Sequence, residues 1–237
     1  MKTANALLAE GIQALREKDE DIERLIAPRS EEFISLLERY IKEIEFFNPS
    51  YGLVGAGSTG ELVIKHILDS LSPLGIIFRL LSSRRFFASA GEENLRPQIA
   101  DAGSGAGLPG IPLSIAMPMC SFTLIERMER RTGFLWNTKA CLGLSGVNVE
   151  EGELEKTQGG RFALVTFRAF KPLDSKLLKP LFRALSAGGV IAAYKGRLEK
   201  IKLEMAPLEK SCGHWEAVPY SVPFLDEERH LLIITPP

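Results

Sequence analysis

The stretch Asp101-Ala102-Gly103-Ser104-Gly105-Ala106-Gly107-Leu108-Pro109-Gly110 decides how this chain is read. It stands where one short apolar run ends and a helical pattern begins: Gln98 to Ala102 predicts a strand, Ile111 to Ala116 a helix. Glycines at 103, 105 and 107 let the backbone approach a ligand without a Cβ clash, and open parallel sheets bind ligands at the carboxyl ends of their strands. The spacing is GxGxG, because Leu108 occupies the place of a third dinucleotide glycine.

Nineteen residues after Gly107, at the end of the next predicted strand (Ser121 to Glu126), stands Glu126. Its carboxylate suits both hydroxyls of a ribose. No lysine follows the loop as a phosphate cradle requires, so the ligand implied is an adenosine without phosphates. Strand, GxGxG turn and acid together point to S-adenosylmethionine. A second glycine pattern, Gly55, Gly57 and Gly60, lacks this context: only Tyr51 to Val54 precede it, and Leu80 stands where a ribose-binding acid would be. It reads as a turn with Ser58 or Thr59 capping the next helix.

Outward from the turn the alternation continues. Further strands are predicted at Val147 to Glu150, Phe162 to Phe167, Gly189 to Lys195, Trp215 to Val222 and His230 to Thr235, with helices at Arg130 to Leu142 and Asp174 to Leu185. The link between the third and fourth strands is too short for a full helix. Such alternation predicts a doubly wound parallel sheet, closed by an antiparallel hairpin because Pro223 to Arg229 leaves no room for a crossover helix. This α/β pattern, a mostly parallel seven-stranded sheet with a C-terminal antiparallel hairpin, resembles the class I (Rossmann-like) methyltransferase fold. Residues 1–95 read as an N-terminal helical cap, with apolar residues at helical spacing from Leu7 to Leu15 and Phe33 to Ile44, a helix from Gly60 to Leu71 and an apolar stretch from Leu74 to Phe87. Residues 96–237 form the cofactor-binding domain.

Composition sets the outer limits. With 237 residues, 45% hydrophobic and 25% charged, the chain can bury a core. Its 29 basic and 30 acidic side chains exclude a surface coated in positive potential, so any RNA contact is local. No apolar run approaches the ~20 residues that cross a bilayer, and the charged early segment, from Glu10 to Asp19, lacks a secretory pattern; a cytoplasmic protein without membrane partners is expected. Cys120, Cys141 and Cys212 are too scattered for a disulfide framework or a zinc motif and read as buried thiols, and no metal is expected.

The turn with its extension, DAGSGAGLPGIPL followed by Leu124-Ile125-Glu126, resembles the RsmG (GidB) family. His66-Ile67-Leu68-Asp69-Ser70-Leu71, Arg168-Ala169-Phe170, Lys195-Gly196 and Glu228-Arg229-His230-Leu231 match further family motifs in order, over roughly residues 38 to 235. The resemblance implies an S-adenosylmethionine-dependent methyltransferase acting on N7 of a guanine in the decoding-region loop of 16S rRNA. Its partner would be that RNA or the small ribosomal subunit, and a monomer is expected. By the same carry-over Gly103, Gly105, Gly107, Leu108, Glu126, Leu154, Glu155 and Arg168 surround the cofactor, and Arg130, Arg131, Lys195 and Arg229 meet the RNA.

Two departures touch the substrate side: Gly52-Leu53-Val54 replaces the family's Asn-Leu-Thr, and Glu153 stands where an arginine is common. Arg84 or Arg85 are candidates to replace that cation. Arg84-Arg85-Phe86-Phe87 reads as an amphipathic helix with its arginines in solvent and its phenylalanines in the core, base stacking being the alternative, while Phe134 and Trp136 read as core. The neutral charge and Glu153 leave a small-molecule or protein acceptor, or a non-catalytic RNA-binding module, as alternatives. His66, His214 and His230 form no nucleophilic pattern and read as packing or hydrogen-bonding residues.

Overall fold

The computed structural model describes residues 2–84, 86–87, 96–169 and 172–237; Arg85 and Phe170 lie outside them. Helices α1 (Ala4–Lys18), α2 (Glu20–Ile26) and α3 (Ser30–Tyr51) open the chain. Each boundary has a local cause. Thr3 caps α1, its hydroxyl accepting from the Ala6 amide, and Asp19 stops α1 and caps α2 through the Asp21 amide. Gly52, at φ +59°, closes α3 in the left-handed conformation. The helix expected over Gly60 to Leu71 is α4 (Thr59–Leu62), a π-helical segment (Val63–Leu68) and α5 (Asp69–Leu71), capped by Ser58. The π segment has no signature in residue spacing. Helix α6 (Leu74–Ser83) ends before the full apolar stretch, whose Phe86 and Phe87 lie in a turn.

Strands β1 (Gln98–Ala102), β2 (Ser121–Glu126), β3 (Val147–Glu151), β4 (Phe162–Arg168) and β5 (Leu185–Lys195) follow, with α7 (Gly110–Ala116), α8 (Glu129–Leu142) and α9 (Ser175–Ala184) between them. A single 3-10 turn, Leu154–Lys156, links β3 to β4. β5 starts directly after α9, four residues earlier than its apolar run suggests, across a register shift beside Phe162 and Leu164. Helix α10 (Leu198–Met205) was not expected; it buries only Ile201 and Met205, one turn apart, too thin an apolar signal to read. β6 (His214–Tyr220) and β7 (Arg229–Thr235) close the chain.

The sheet order is β3-β2-β1-β4-β5-β7-β6, with β7 antiparallel to both neighbours and the other pairs parallel. Because successive strand residues face opposite sides, alternate positions feed two apolar layers. Ile99, Leu124, Leu164 and Ala192 pack under α1–α8, whereas Ala100, Ile125, Val165 and Ile191 pack under α9 and α10. The first layer runs without a break from Leu8 to Ile233, so cap and sheet share one core. Polar ties add to it: the Tyr40 hydroxyl donates to the Ala106 carbonyl at 2.6 Å and the Tyr194 hydroxyl to the Ser70 carbonyl at 2.7 Å. Among the described residues no helix is long and apolar enough to cross a membrane.

Candidate cofactor pocket and RNA-facing edge

β1 lies between β2 and β4, where the crossover connections leave for opposite faces, and a crevice opens at their carboxyl ends. The turn after β1 fills its floor. The amides of Gly103 and Ser104 donate to the Ile125 carbonyl at 2.9 and 3.0 Å, locking the turn onto the end of β2. Beneath it, Asp101 is fully buried; its Oδ2 accepts from Ser104 Oγ at 2.7 Å and from the Gly110 amide at 2.9 Å, while Oδ1 has no hydrogen-bond partner. Burial pushes this carboxyl up to about 6, against the pull of those two hydrogen bonds.

Glu126 is 4% exposed, with Oε2 accepting from the Gly105 amide and Oε1 from the Met128 amide, each at 2.9 Å. A carboxylate so held keeps free lone pairs and a fixed direction, which suits a diol ligand. It lines a cavity of about 230 Å³ together with Gly103, Ile125, Arg131, Leu154 and Glu155. The cavity therefore gathers four of the eight expected cofactor residues, and Gly105 reaches it through Glu126. Gly107 and Leu108 do not line it. A Cβ at Gly107 would meet Ile111 Cδ1 at 2.3 Å, so that glycine serves the packing of α7 against the turn.

Arg127, Met128 and Gly152, which no pattern marked, and Ala169 of the Arg168-Ala169-Phe170 motif also line the cavity, contributed by loops that meet only in the folded sheet. Ala169 holds a left-handed φ of +50°, backbone strain placed at the cavity rim. Arg131, expected at the RNA, lines this cavity instead, with its Nε buried away from solvent and without a hydrogen-bond partner. Glu126, held in a fixed direction, and the backbone of the turn fit a nucleoside-type cofactor.

Arg168 points away from this cavity toward the π segment. Its Nη1 donates to the Lys65 carbonyl at 3.1 Å and faces Asp69 Oδ2 at 3.2 Å, and its Nη2 lies 3.0 Å from His66 Nδ1. A guanidinium only donates, so His66 Nδ1 accepts and the ring is neutral. Burial first, then the Arg168 charge, hold His66 down to about 4. As pH falls from the ordinary 6.5 toward 4 the unfolded chain takes a proton that the folded one refuses, so stability drops over that window. Asp101 works oppositely: its folded value lies above the ordinary 3.8, so its contribution is complete below that and is lost as pH rises to about 6. The two offset each other between pH 4 and 6. Replacing His66 by glutamine should unmask this. In urea unfolding, the loss caused by His66→Gln should be smaller at pH 4.5 than at pH 7 by about 1–2 kcal/mol, allowing for solvent around the ring. An equal loss at both values would mean that His66 is not held neutral.

Apart from Arg131, the expected RNA residues flank the crevice on both sides. On the β2 side, Arg130 is exposed, stacks 5.7 Å over Tyr51 and donates to the Ser50 carbonyl. On the other side, a cavity of about 620 Å³ opens between the end of β5 and residues 226–229, lined by Lys195, Arg197, Lys200 and Arg229 among interspersed carboxylates. There Lys195 Nζ meets both Glu204 oxygens at 2.8 Å, and Arg229 pairs with Glu227 at 3.0 Å. Glu153, at the first cavity's rim, lies 3.9 Å from Lys156. Arg84 donates to the Gly188 carbonyl, at the opposite end of β5 from the crevice, and does not replace the missing arginine.

Two side chains expected inside are not. Trp136 is 47% exposed beneath Lys139, because the buried face of α8 runs through Thr132, Leu135, Thr138 and Leu142; Phe134 is buried as expected. Cys141 is exposed, while Cys120 and Cys212 are buried, and burial pushes the Cys120 thiol up to about 12.

Known proteins give the same assignment. The family model GidB, described as rRNA small subunit methyltransferase G, matches residues 33–232. Ribosomal RNA small subunit methyltransferase G of Treponema pallidum is 37% identical over 238 residues, covering 98% of this chain and 95% of its own length. The protein of that name from Cellvibrio japonicus is 34% identical, covering 89% and 90%. Among solved structures, a human methyltransferase 10 domain containing protein superposes with TM-score 0.53 at 12% identity, covering 84% of this chain and 97% of that one. A tRNA methyltransferase from Aquifex aeolicus gives 0.51 at 12% identity, covering 70% and 69%. The class I sheet order, the turn with its acid and this matched span agree: the chain belongs to the rRNA small subunit methyltransferase G family, a family of S-adenosylmethionine-dependent enzymes.

Proposed function

We propose that this protein methylates N7 of a guanine in the decoding-region loop of 16S rRNA within the small ribosomal subunit, acting as a cytoplasmic monomer. The observation that carries the reading is Glu126, held by two backbone amides at the cavity beside the turn, in a chain of this family. S-adenosylmethionine, when bound, supplies an electrophilic sulfonium methyl. Gly103, Gly105, Glu126, Leu154 and Glu155 would hold its nucleoside part.

Guanine N7 has an in-plane lone pair and no proton, so no side chain has to act as a base. What the chain supplies is alignment of the acceptor, worth several kcal/mol in well-oriented systems. Positive charge develops on the guanine ring during transfer, so a desolvated cation against N7 would oppose it. Arg130, Lys195 and Arg229 are accordingly assigned to phosphates of the loop, which position without reading sequence.

Incubation with labelled cofactor and small subunits, or bare 16S rRNA, from cells lacking the modification should place label on one guanine. The nucleoside product should be 7-methylguanosine by mass spectrometry, with transfer weakening steeply as salt rises. Folded protein that leaves both substrates unlabelled would overturn the reading.

A further inference from the structure

Asp69 sits in the helical layer, yet its carboxylate joins Arg168 to Arg229, an RNA-facing residue on a different strand. It is 4% exposed. Oδ2 faces Arg168 Nη1, at the end of β4, at 3.2 Å; Oδ1 lies 3.4 Å from Arg229 Nε, at the start of β7, and accepts the Tyr220 hydroxyl at 3.1 Å. The π segment brings it there. Widened helical turns of this kind recur at functional sites, and here the Lys65 and His66 carbonyls of that segment also accept from Arg168. A carboxylate this buried is costly unless paired, and it is paired with two cations at once.

The two arginines depend on it unequally. Arg168 has three further partners, the carbonyls of Lys65 and His66 and the His66 ring, and stays fixed without Asp69. Arg229 has Glu227, whose side chain is 50% exposed, and the Glu228 carbonyl. The Asp69 oxygen is its one buried anchor among the described residues.

We propose that Asp69 is a positioning residue for the RNA: one oxygen engages Arg168, and the other fixes Arg229 at the mouth of the crevice in the orientation that meets a phosphate. This rests on the RNA role assigned to Arg229 above. A carboxylate offers an acceptor oxygen to each guanidinium, whereas an amide offers one oxygen and turns a donor toward the second cation. Asp69→Asn therefore keeps the shape, keeps Arg168 and releases Arg229.

Steady-state kinetics with small subunits and S-adenosylmethionine should show KM for the RNA substrate rising about tenfold in Asp69→Asn, with kcat and cofactor affinity within about twofold. The slope of log affinity against log salt for 16S rRNA should fall by about one, as it should in Arg229→Gln. Combining the two substitutions should add nothing to either, because both remove the same contact. A loss of kcat or cofactor affinity with unchanged KM, or additive losses in the double variant, would overturn the proposal. Should Asp69→Asn fail to fold alone, the double variant remains, since its amide serves Arg168 only. There a KM equal to that of Arg229→Gln supports the proposal and a further rise overturns it. A wild-type protein without salt-dependent RNA binding would instead break the functional reading, whereas normal wild-type binding unaltered in Asp69→Asn breaks this inference alone.

Discussion

Glu126→Ala is expected to weaken S-adenosylmethionine binding at least about 100-fold, measured by isothermal titration calorimetry on protein whose circular dichroism and thermal unfolding show it folded. The effect has two parts. The carboxylate accepts from the Gly105 and Met128 amides, and its removal leaves both without an acceptor in a buried place, at about 1–3 kcal/mol each. Some of that falls on the stability of the turn in the free protein, and the remainder appears in binding because the cofactor meets a turn that is no longer fixed. The second part is loss of the acceptor for the ribose hydroxyls, a charged hydrogen bond worth about 1.5–3 kcal/mol. About 3 kcal/mol in binding corresponds to a little over 100-fold. Glu126→Gln provides the control: it retains one oxygen, satisfies one amide rather than two, and should fall between wild type and alanine. Cofactor affinity within about fivefold of wild type in Glu126→Ala would show that the nucleoside is not held here.

That Glu126 could be placed beside the turn from sequence follows from its locality. The turn, the strand before it and the acid after it lie within 30 residues, and each obeys a rule of spacing. The sheet was legible for the same reason, since its strands are short apolar runs separated by turns. Sites assembled from distant loops leave no such trace: Arg127, Met128 and Gly152 are ordinary residues until the strand ends meet. Trp136 and Cys141 were misread because an apolar residue on a helix says nothing of which arc faces the core, and α8 turns that arc elsewhere. The HILDSL run could be recognised as a motif but not explained. Its π turn, and hence the aim of Asp69 between two arginines, depends on where β4 and β7 present their ends.

The glycines of the turn, alike in spacing, should respond differently to the same change. All have positive φ, +58° at Gly105 and +88° at Gly107, so alanine costs about 1–2 kcal/mol of backbone strain at either. Beyond that the sites diverge. A Cβ at Gly105 has open space, its nearest neighbour being the Gly103 carbonyl at 3.9 Å, whereas one at Gly107 would stand 2.3 and 2.7 Å from Ile111 Cδ1 and Cγ1 and 3.1 Å from Leu135 Cδ2. Ile111 and Leu135 are both fully buried, so neither can swing into solvent, and the overlap must be relieved by moving α7 or the turn. Overpacking of this kind costs about 1–3 kcal/mol more. Gly107→Ala should therefore lose about 2–5 kcal/mol in urea unfolding, and Gly105→Ala no more than about 2. Cofactor binding should invert the order among molecules that remain folded. The added methyl at Gly105 projects into the space above the turn, next to the amide that fixes Glu126, and should weaken binding at least tenfold. If Gly105→Ala bound cofactor normally, that space would not be the ligand's, and the turn would owe its glycines to backbone conformation alone.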